Sequence, residues 1–243
     1  MSNKPEIVVM DVKGHHNQNL DQETTRIIEG ATWKKCRVII ILPAGAMVPA
    51  KCALSWWNMA MAPNQACVKF LTQNMEVGVA YSESIEQILA HPDLSQFEYI
   101  LTLEHDQVVP SDGLLRLIKR LDERPDISAV SGLYWTRNEG GCPQCWGDPK
   151  DPVVNFAPQP PPPAGECREY RGIGMGFALW RLSMFKDPKL RRPWFKTLTG
   201  LEGQGAGTQD LYFCSDAGKY GYRFAVDASV LVGHLDPATG LVW

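Results

Sequence analysis

An acidic triplet, Glu104-His105-Asp106, directly follows the apolar segment 99–103. Two carboxylates one residue apart at the end of a strand can face the same bound cation, because the chain turns there. Ligands of open α/β sheets bind beyond the carboxyl ends of the strands, where this triplet is expected to lie. The alternative is that Asp106 only caps the turn that follows.

Three further features suit a ligand site, although each has an ordinary explanation. The three glycines of 172–176 permit close approach of the backbone to a ligand or a neighbouring strand, but a turn would also use them. Their spacing is not that of the dinucleotide-binding motif. Asp210 opens a helix-like segment, where the helix dipole alone would stabilise a carboxylate. His234 ends a β-branched strand, and such a histidine is usually a satisfied surface or core residue.

The elements that must position these residues follow an alternating pattern. Apolar runs predict strands at 37–42, 66–71, 97–103 and 127–134, and the intervening segments predict helices at 50–61, 77–89 and 111–121. Regular patterns resume at 176–185, with a helix over 210–220 and a strand over 224–232. This order predicts an α/β fold with a mixed, mostly parallel central sheet and helices on both faces.

The domain organisation is expected to be simple. Residues 1–36 carry few apolar anchors and predict an N-terminal arm or added element, whereas 37–243 predict one catalytic domain. Within it, the Pro-, Gly- and Cys-rich residues 136–169 predict a functional loop or flap. The Gly-rich, polar segment 197–209 predicts a mobile lid.

Composition excludes some classes of protein. The chain has 243 residues, of which 44% are hydrophobic, and a net charge of -3. A buried core is therefore expected, and nucleic-acid binding by bulk positive charge is not. No apolar run approaches the ~20 residues that cross a bilayer. The polar residues 1–20 lack the apolar segment of a secretory signal, so a cytoplasmic protein is expected.

The seven cysteines favour reduced thiols over a disulfide framework. Cys142 and Cys145 have metal-ligand spacing, and Cys167 could be a third ligand. Zinc needs four ligands, and no matching second pair follows. A plain loop is therefore the favoured interpretation, and zinc is the alternative.

Taken in order along the chain, these motifs resemble a known family. The strand with its acidic triplet is followed by Gly-x-Gly-x-Gly-Phe (172–177), by Asp-Leu-x-Phe-Cys (210–214) and by Gly-Tyr-Arg-Phe-x-Val-Asp (221–227) with Val-Gly-His (232–234). Over residues 37–236 the series resembles the family 2-like glycosyltransferases with the GT-A, or nucleotide-diphospho-sugar transferase, fold.

The resemblance implies a divalent cation and a nucleotide-sugar. Asp106 and His234 would be metal ligands, and Glu104 would face the metal or the nucleotide. Oxygen ligands with one imidazole suit Mn²⁺ or Mg²⁺. The resemblance further implies that a nucleotide-sugar donor contacts the following residues, in addition to Glu104: Pro43, Ala44, Gly45, His105 and Gly174.

The same resemblance implies the reaction. Asp210 matches the general base of a hexosyl transfer from a nucleotide-diphosphate sugar, with UDP the family's usual nucleotide. A single evident base fits inversion, and a retaining route stays open. The sequence departs from the family twice: Glu104 replaces the first Asp of the Asp-x-Asp motif, and Gln209 replaces an acid beside the base.

The acceptor and two other functions stay open at this point. A carbohydrate or another hydroxyl is one acceptor; a hydroxymethylated base in DNA is another, with Arg191 and Arg192 meeting phosphates and Trp194 and Phe195 stacking on bases. An ordinary surface around a buried Pro-Trp-Phe anchor is the favoured interpretation of that segment. A nucleotidyltransferase would need a basic Gly-rich loop after the first strand, which 43–47 lacks, and a non-catalytic nucleotide-sugar-binding module is the remaining alternative.

Overall fold

The computed structural model describes residues 6–10, 36–63, 65–137, 139–199 and 205–243. Eight strands form its main sheet: β1 (Glu6–Met10), β2 (Cys36–Ala44), β3 (Ala66–Gln73), β4 (Tyr99–Leu103), β6 (Ala129–Leu133), β8 (Cys167–Tyr170), β10 (Phe177–Arg181) and β13 (Phe224–Leu231). Their order across the sheet is β1-β3-β2-β4-β10-β6-β13-β8.

The sheet is mixed, and most of its strands share one direction. Strands β2, β3, β4, β6 and β13 run the same way, whereas β1, β8 and β10 run against them. In the described ranges, four α-helices accompany it: α1 (Ala50–Trp57), α2 (Val77–Ala90), α3 (Gly113–Glu123) and α4 (Gln209–Gly218). Two 3₁₀ helices span Leu94–Gln96 and Leu182–Lys186. None of the helices in the described ranges is long and apolar enough to cross a bilayer.

Alternation along the strands builds a core on each face of the sheet. Ile39 and Ile41 of β2 pack in one core, with residues of α2 and α4. Val38 and Ile40 pack in the other, with residues of α3. This period-2 division explains why the continuous β-branched run suits a central strand. The predicted α/β class, with helices on both faces, is confirmed.

Several short ladders complete the fold at the edges of the main sheet. β5 (Gln107–Val108) pairs with β14 (Gly233–His234), and β7 (Cys145–Trp146) pairs with β9 (Gly172–Ile173). β11 (Leu198–Thr199) pairs with β12 (Gly205–Gly207). The predicted lid falls in part on 200–204, which lie outside the described residues.

Element boundaries depart from the sequence patterns in places. The helix predicted over 50–61 ends at Trp57, with Asn58 at its C-cap. Segment 176–185 divides into β10 and a 3₁₀ helix. Of the predicted arm, 1–5 and 11–35 lie outside the described residues, and 6–10 add an antiparallel strand to the sheet edge.

Candidate functional site

The acidic triplet turns the chain at the end of β4. The backbone N–H of Glu104 donates to the Gly176 carbonyl at 3.0 Å, which continues the pairing of β4 with β10. The N–H of Gln107 then donates to the Glu104 carbonyl at 3.2 Å, closing a turn that leads into β5. The triplet therefore lies at the carboxyl end of a central strand, where its side chains face the region beyond the sheet.

The ladder between β5 and β14 brings His234 to the triplet. Gln107 and His234 are register partners, and the Leu235 N–H donates to the Asp106 carbonyl at 2.8 Å. As a result, His234 Nε2 lies 3.3 Å from Asp106 Oδ2, although the two residues are far apart in the sequence. The predicted convergence of these two side chains is present in the structure.

The orientation of the His234 ring matters for what this pair can bind. Its Nδ1 lies 2.8 Å from the Trp135 carbonyl oxygen. Because a carbonyl only accepts, Nδ1 donates its proton in this contact, and Nε2 is the nitrogen that faces Asp106. Nε2 donates to the carboxylate when the ring is an imidazolium and offers a lone pair when the ring is neutral. A lone pair and a carboxylate oxygen 3.3 Å apart require a proton or a metal cation between them.

Asp106 is held ionised within a buried setting. Only 4% of the residue is exposed, yet Arg137 Nη2 lies 3.4 Å from the same Oδ2, and Gln107 Nε2 donates to Oδ1 at 3.3 Å. Burial acts to raise the pKa of Asp106, but His234, His105 and Arg137 outweigh it and lower that pKa. A negative charge therefore lies at this end of β4 at neutral pH.

The charges of two neighbouring carboxylates affect the pKa of Glu104. Its pKa rises to about 8, first because of burial and then because of the charges of Asp106 and Asp210, while Arg137 acts in the opposite direction. The same three carboxylates act on the Tyr134 hydroxyl, whose pKa is raised mainly by burial. The three acidic residues thus form one electrostatic cluster, and a bound divalent cation would reduce the repulsion among their negative charges.

Asp210 lies in the first turn of α4 and is 7% exposed. Its Oδ1 accepts a hydrogen bond from the Thr208 hydroxyl and another from the Leu211 N–H at 2.8 Å. Burial raises its pKa, and these hydrogen bonds act against that rise. The carboxylate is therefore fixed in orientation while its basicity is increased, which suits proton acceptance.

A pocket of about 320 Å³ lies against the triplet. Its lining includes three predicted residues at the end of β2, Pro43, Ala44 and Gly45, and all three residues of the triplet. His234, Asp210 and Gly174 do not belong to this lining, and His234 reaches the pocket only through its contact with Asp106. The remaining lining residues are ones that the sequence patterns did not identify: Asn74, Met75, Val77 and Arg137.

These missed residues had a signature in the sequence. Asn74 comes directly after β3, and Arg137 lies shortly after β6. Both strands run parallel to β2 and β4, so their ends reach the same edge of the sheet. Applying the strand-end rule to every strand would have found them.

Gly174 packs beneath the site. A Cβ atom at this position would lie 2.2 Å from the Tyr134 hydroxyl oxygen, and that oxygen accepts a hydrogen bond from the Gly176 N–H at 2.9 Å. Tyr134 in turn contacts His234 edge-on, with ring centroids 5.8 Å apart. The glycines therefore let β9 and β10 approach the tyrosine that supports the metal-ligand candidate.

The cysteines and the basic segment take ordinary structural roles in the described ranges. No group of three or more His, Cys, Asp or Glu side chains there could hold a metal ion by itself, which leaves the cysteine zinc site without support. Trp194 and Phe195 are each 1% exposed and cannot stack on bases. Arg191 pairs with Asp216, and Arg192 pairs with Glu86. The buried Pro-Trp-Phe anchor is confirmed.

The donor set at the triplet fits a divalent cation. Neighbouring ligands of an octahedral ion lie ~3.0 Å apart when its bonds are ~2.1 Å. The 3.3 Å between Asp106 and His234 is close to that spacing. Because no described cluster supplies a full ligand set, the other ligands would be water and substrate oxygens, as is usual for Mg²⁺ and Mn²⁺ with phosphates.

Comparison with known proteins identifies the fold. No protein-family model and no curated protein matches the chain. Among solved structures, A197 from STIV is 16% identical, with 82% of this chain and 86% of that chain covered and a TM-score of 0.55. GalNAc-T7, crystallised with UDP, GalNAc and Mn²⁺, is 11% identical, with 83% and 44% covered and a TM-score of 0.54. This chain thus spans less than half of GalNAc-T7, and the likeness establishes a GT-A-like fold.

Proposed function

We propose that the protein is a metal-dependent glycosyltransferase that moves a hexose from a nucleotide-diphosphate sugar to an acceptor hydroxyl. The observation that carries this proposal is the pairing of Asp106 Oδ2 with His234 Nε2, 3.3 Å apart, at the border of the 320 Å³ pocket. The GT-A-like fold supports it, and so does the UDP and Mn²⁺ in the crystals of GalNAc-T7.

The donor would lie in the pocket beyond β2 and β4. Segment 43–45 would contact the nucleoside, and Glu104 and His105 would contact the nucleotide where it passes the triplet. Asp106 and His234 would hold Mn²⁺ or Mg²⁺ at the diphosphate. When bound, the cation would act as a Lewis acid that neutralises the charge of the leaving phosphate.

Asp210 is the proposed general base. The acceptor hydroxyl attacks the anomeric carbon of the sugar, the bond from that carbon to the diphosphate oxygen breaks, and the hydroxyl proton passes to Asp210. The nucleoside diphosphate leaves with the bonding electron pair, and a single displacement inverts the anomeric centre. General-base assistance is typically worth ~10²–10⁴-fold in rate. The hydrogen bonds from Thr208 and Leu211 would keep the carboxylate in place.

A donor-hydrolysis assay tests the proposal. The protein would be incubated with UDP-glucose, UDP-galactose, UDP-GlcNAc, UDP-GalNAc and GDP-mannose, with Mn²⁺ or with chelator, and released nucleotide would be measured. We expect nucleotide to be released from one of these donors, and only when the cation is present. In Asp210→Asn the rate of this release should fall at least ~10²-fold. That variant should still bind the donor.

Asp112→Asn is the matched control, because Asp112 is a half-exposed carboxylate at the N-cap of α3 that pairs with Arg116 and does not line the pocket. It should retain full activity. Cation-independent release, or full turnover by Asp210→Asn, would contradict the assigned roles. Absence of both binding and release for every donor would overturn the proposed function itself.

A further inference from the structure

Arg137 occupies a position in the pocket that the proposed reaction has not used so far. It lies beyond the end of β6, and its Nη2 is 3.4 Å from Asp106 Oδ2. The side chain is 41% exposed and lines the pocket together with Glu104 and His105. Among the described lining residues, it is the one permanently charged cation.

Arg137 contacts the same oxygen as the metal-ligand candidate. Oδ2 of Asp106 faces both Arg137 Nη2 at 3.4 Å and His234 Nε2 at 3.3 Å. A divalent cation bound at Asp106 and His234 would repel the guanidinium at this distance, because like charges a few ångströms apart are strongly unfavourable in a partly buried site. Cation binding and the contact between Arg137 and Asp106 therefore compete for the same oxygen.

A displaced guanidinium would remain in the pocket, since the side chain is anchored at its rim and is partly exposed. The substrate expected there carries a diphosphate, and a guanidinium binds phosphate oxygens through two parallel hydrogen bonds. The same side chain can thus form an ion pair with Asp106 before the cation binds and hydrogen bonds to the diphosphate afterwards.

Resting on the proposed function, we infer that Arg137 is a placeholder cation that exchanges partners. It neutralises Asp106 in the empty pocket, leaves it when a divalent cation binds, and then binds the diphosphate of the donor. Arg137 is therefore a substrate-binding residue and also a competitor of the metal for Asp106.

This exchange predicts effects of opposite sign when the charge is removed. In Arg137→Gln, Mn²⁺ alone should bind roughly two- to fivefold more tightly, because an ion pair of modest strength no longer competes. With saturating Mn²⁺, a nucleoside diphosphate should bind roughly tenfold more weakly, because a charge-assisted phosphate contact is lost. Arg137→Lys should resemble the unsubstituted protein toward Mn²⁺ and should bind the diphosphate with intermediate affinity.

Isothermal titration calorimetry measures both affinities directly, first with MnCl₂ alone and then with UDP or GDP at saturating Mn²⁺. Arg116→Gln is the matched control, because Arg116 is an exposed arginine of α3 that pairs with Asp112. It should leave both affinities unchanged. Thermal unfolding of each variant establishes that all are folded at the temperature of titration.

The outcomes separate this inference from the function on which it rests. Tighter Mn²⁺ and weaker nucleotide in Arg137→Gln support the exchange. Two unchanged affinities overturn it, and so do two weakened affinities, since the latter would make Arg137 a structural support. If the unsubstituted protein binds neither Mn²⁺ nor a nucleoside diphosphate, the proposed function fails, and the inference fails with it.

Discussion

Gly174→Ala tests whether close packing under Tyr134 positions the site. The added Cβ would lie 2.2 Å from the Tyr134 hydroxyl oxygen and 2.9 Å from Gln144 Cβ, whereas ordinary contacts begin at 3.4 Å. Tyr134 is 3% exposed and cannot swing into solvent, and its hydroxyl is already bonded to the Gly176 N–H. Overpacking costs typically about 1–3 kcal/mol, and an overlap this deep predicts the upper half of that range.

Urea unfolding followed by circular dichroism measures this cost. Gly218→Ala is the matched control, because a Cβ there would meet nothing within 4 Å. It should not destabilise the protein, and as a replacement of glycine by alanine at the end of α4 it should raise the free energy of unfolding by at most about 1 kcal/mol. Tyr134→Phe removes the clashing oxygen. In that background the cost of Gly174→Ala should fall by about 1 kcal/mol, a coupling expected of residues in contact.

Two results would refute this reasoning. The first is that Gly174→Ala is as stable as Gly218→Ala. The second is that its cost is the same with and without the Tyr134 hydroxyl. A variant that keeps full stability and loses only nucleotide binding would instead assign Gly174 the ligand contact that the family resemblance implies.

Two further predictions concern charges outside the site. Asp216→Asn should cost about 1–3 kcal/mol at neutral pH, because Asp216 is 4% exposed and accepts bonds from the Arg191 N–H at 3.0 Å and Nε at 2.8 Å. Burial opposes ionisation, but those bonds lower the pKa of Asp216, so its stabilisation is complete above about pH 4 and disappears as the pH falls through the native value. Unfolding measured at pH 2–7 should therefore show a free energy of unfolding that falls less steeply with decreasing pH in Asp216→Asn than in the unsubstituted protein. An equally steep fall in both proteins would contradict this. Arg37→Met should lower the free energy of unfolding by about 2 kcal/mol, because Arg37 is only 3% exposed and bonds to Glu98 and, at 2.6 Å, to Asp122. The 43% exposure of the Asp122 side chain limits the loss, since solvent screens that ion pair. An unchanged urea midpoint would contradict this prediction.

The architecture was largely predictable because it depends on local patterns. The β-branched run of β2 predicts a strand buried on both faces, and its alternate residues do pack into two cores. The amphipathic spacing in α3 similarly predicts a helix against one face, where its Leu114 and Leu117 are buried. Such patterns record burial directly, so they survive folding.

Strand direction and partner choice were not predictable in this way. β10 inserts antiparallel between β4 and β6, although its apolar residues would suit either direction. Nothing in residues 177–181 specifies orientation. The end of α1 at Trp57 was missed for a related reason, since the helical pattern continues beyond the point where Asn58 caps the helix.

The sequence identified individual residues of the site but not the contact between them. Asp106 was identifiable because it follows a strand directly, and His234 was identifiable because a family motif places it. Their 3.3 Å contact depends on the pairing of β5 with β14, two strands of two residues each that no periodicity could reveal. Arg137 was not predictable in the same way, because Tyr134 and Trp135 separate it from the end of β6.

The most direct test of the account is a crystal structure of the protein soaked with MnCl₂ and UDP, with anomalous diffraction used to locate manganese. The account predicts one anomalous peak in contact with the Asp106 carboxylate and His234 Nε2, with the UDP diphosphate completing its coordination. Bound UDP with no manganese at Asp106, or manganese held only by other residues, would contradict the central claim.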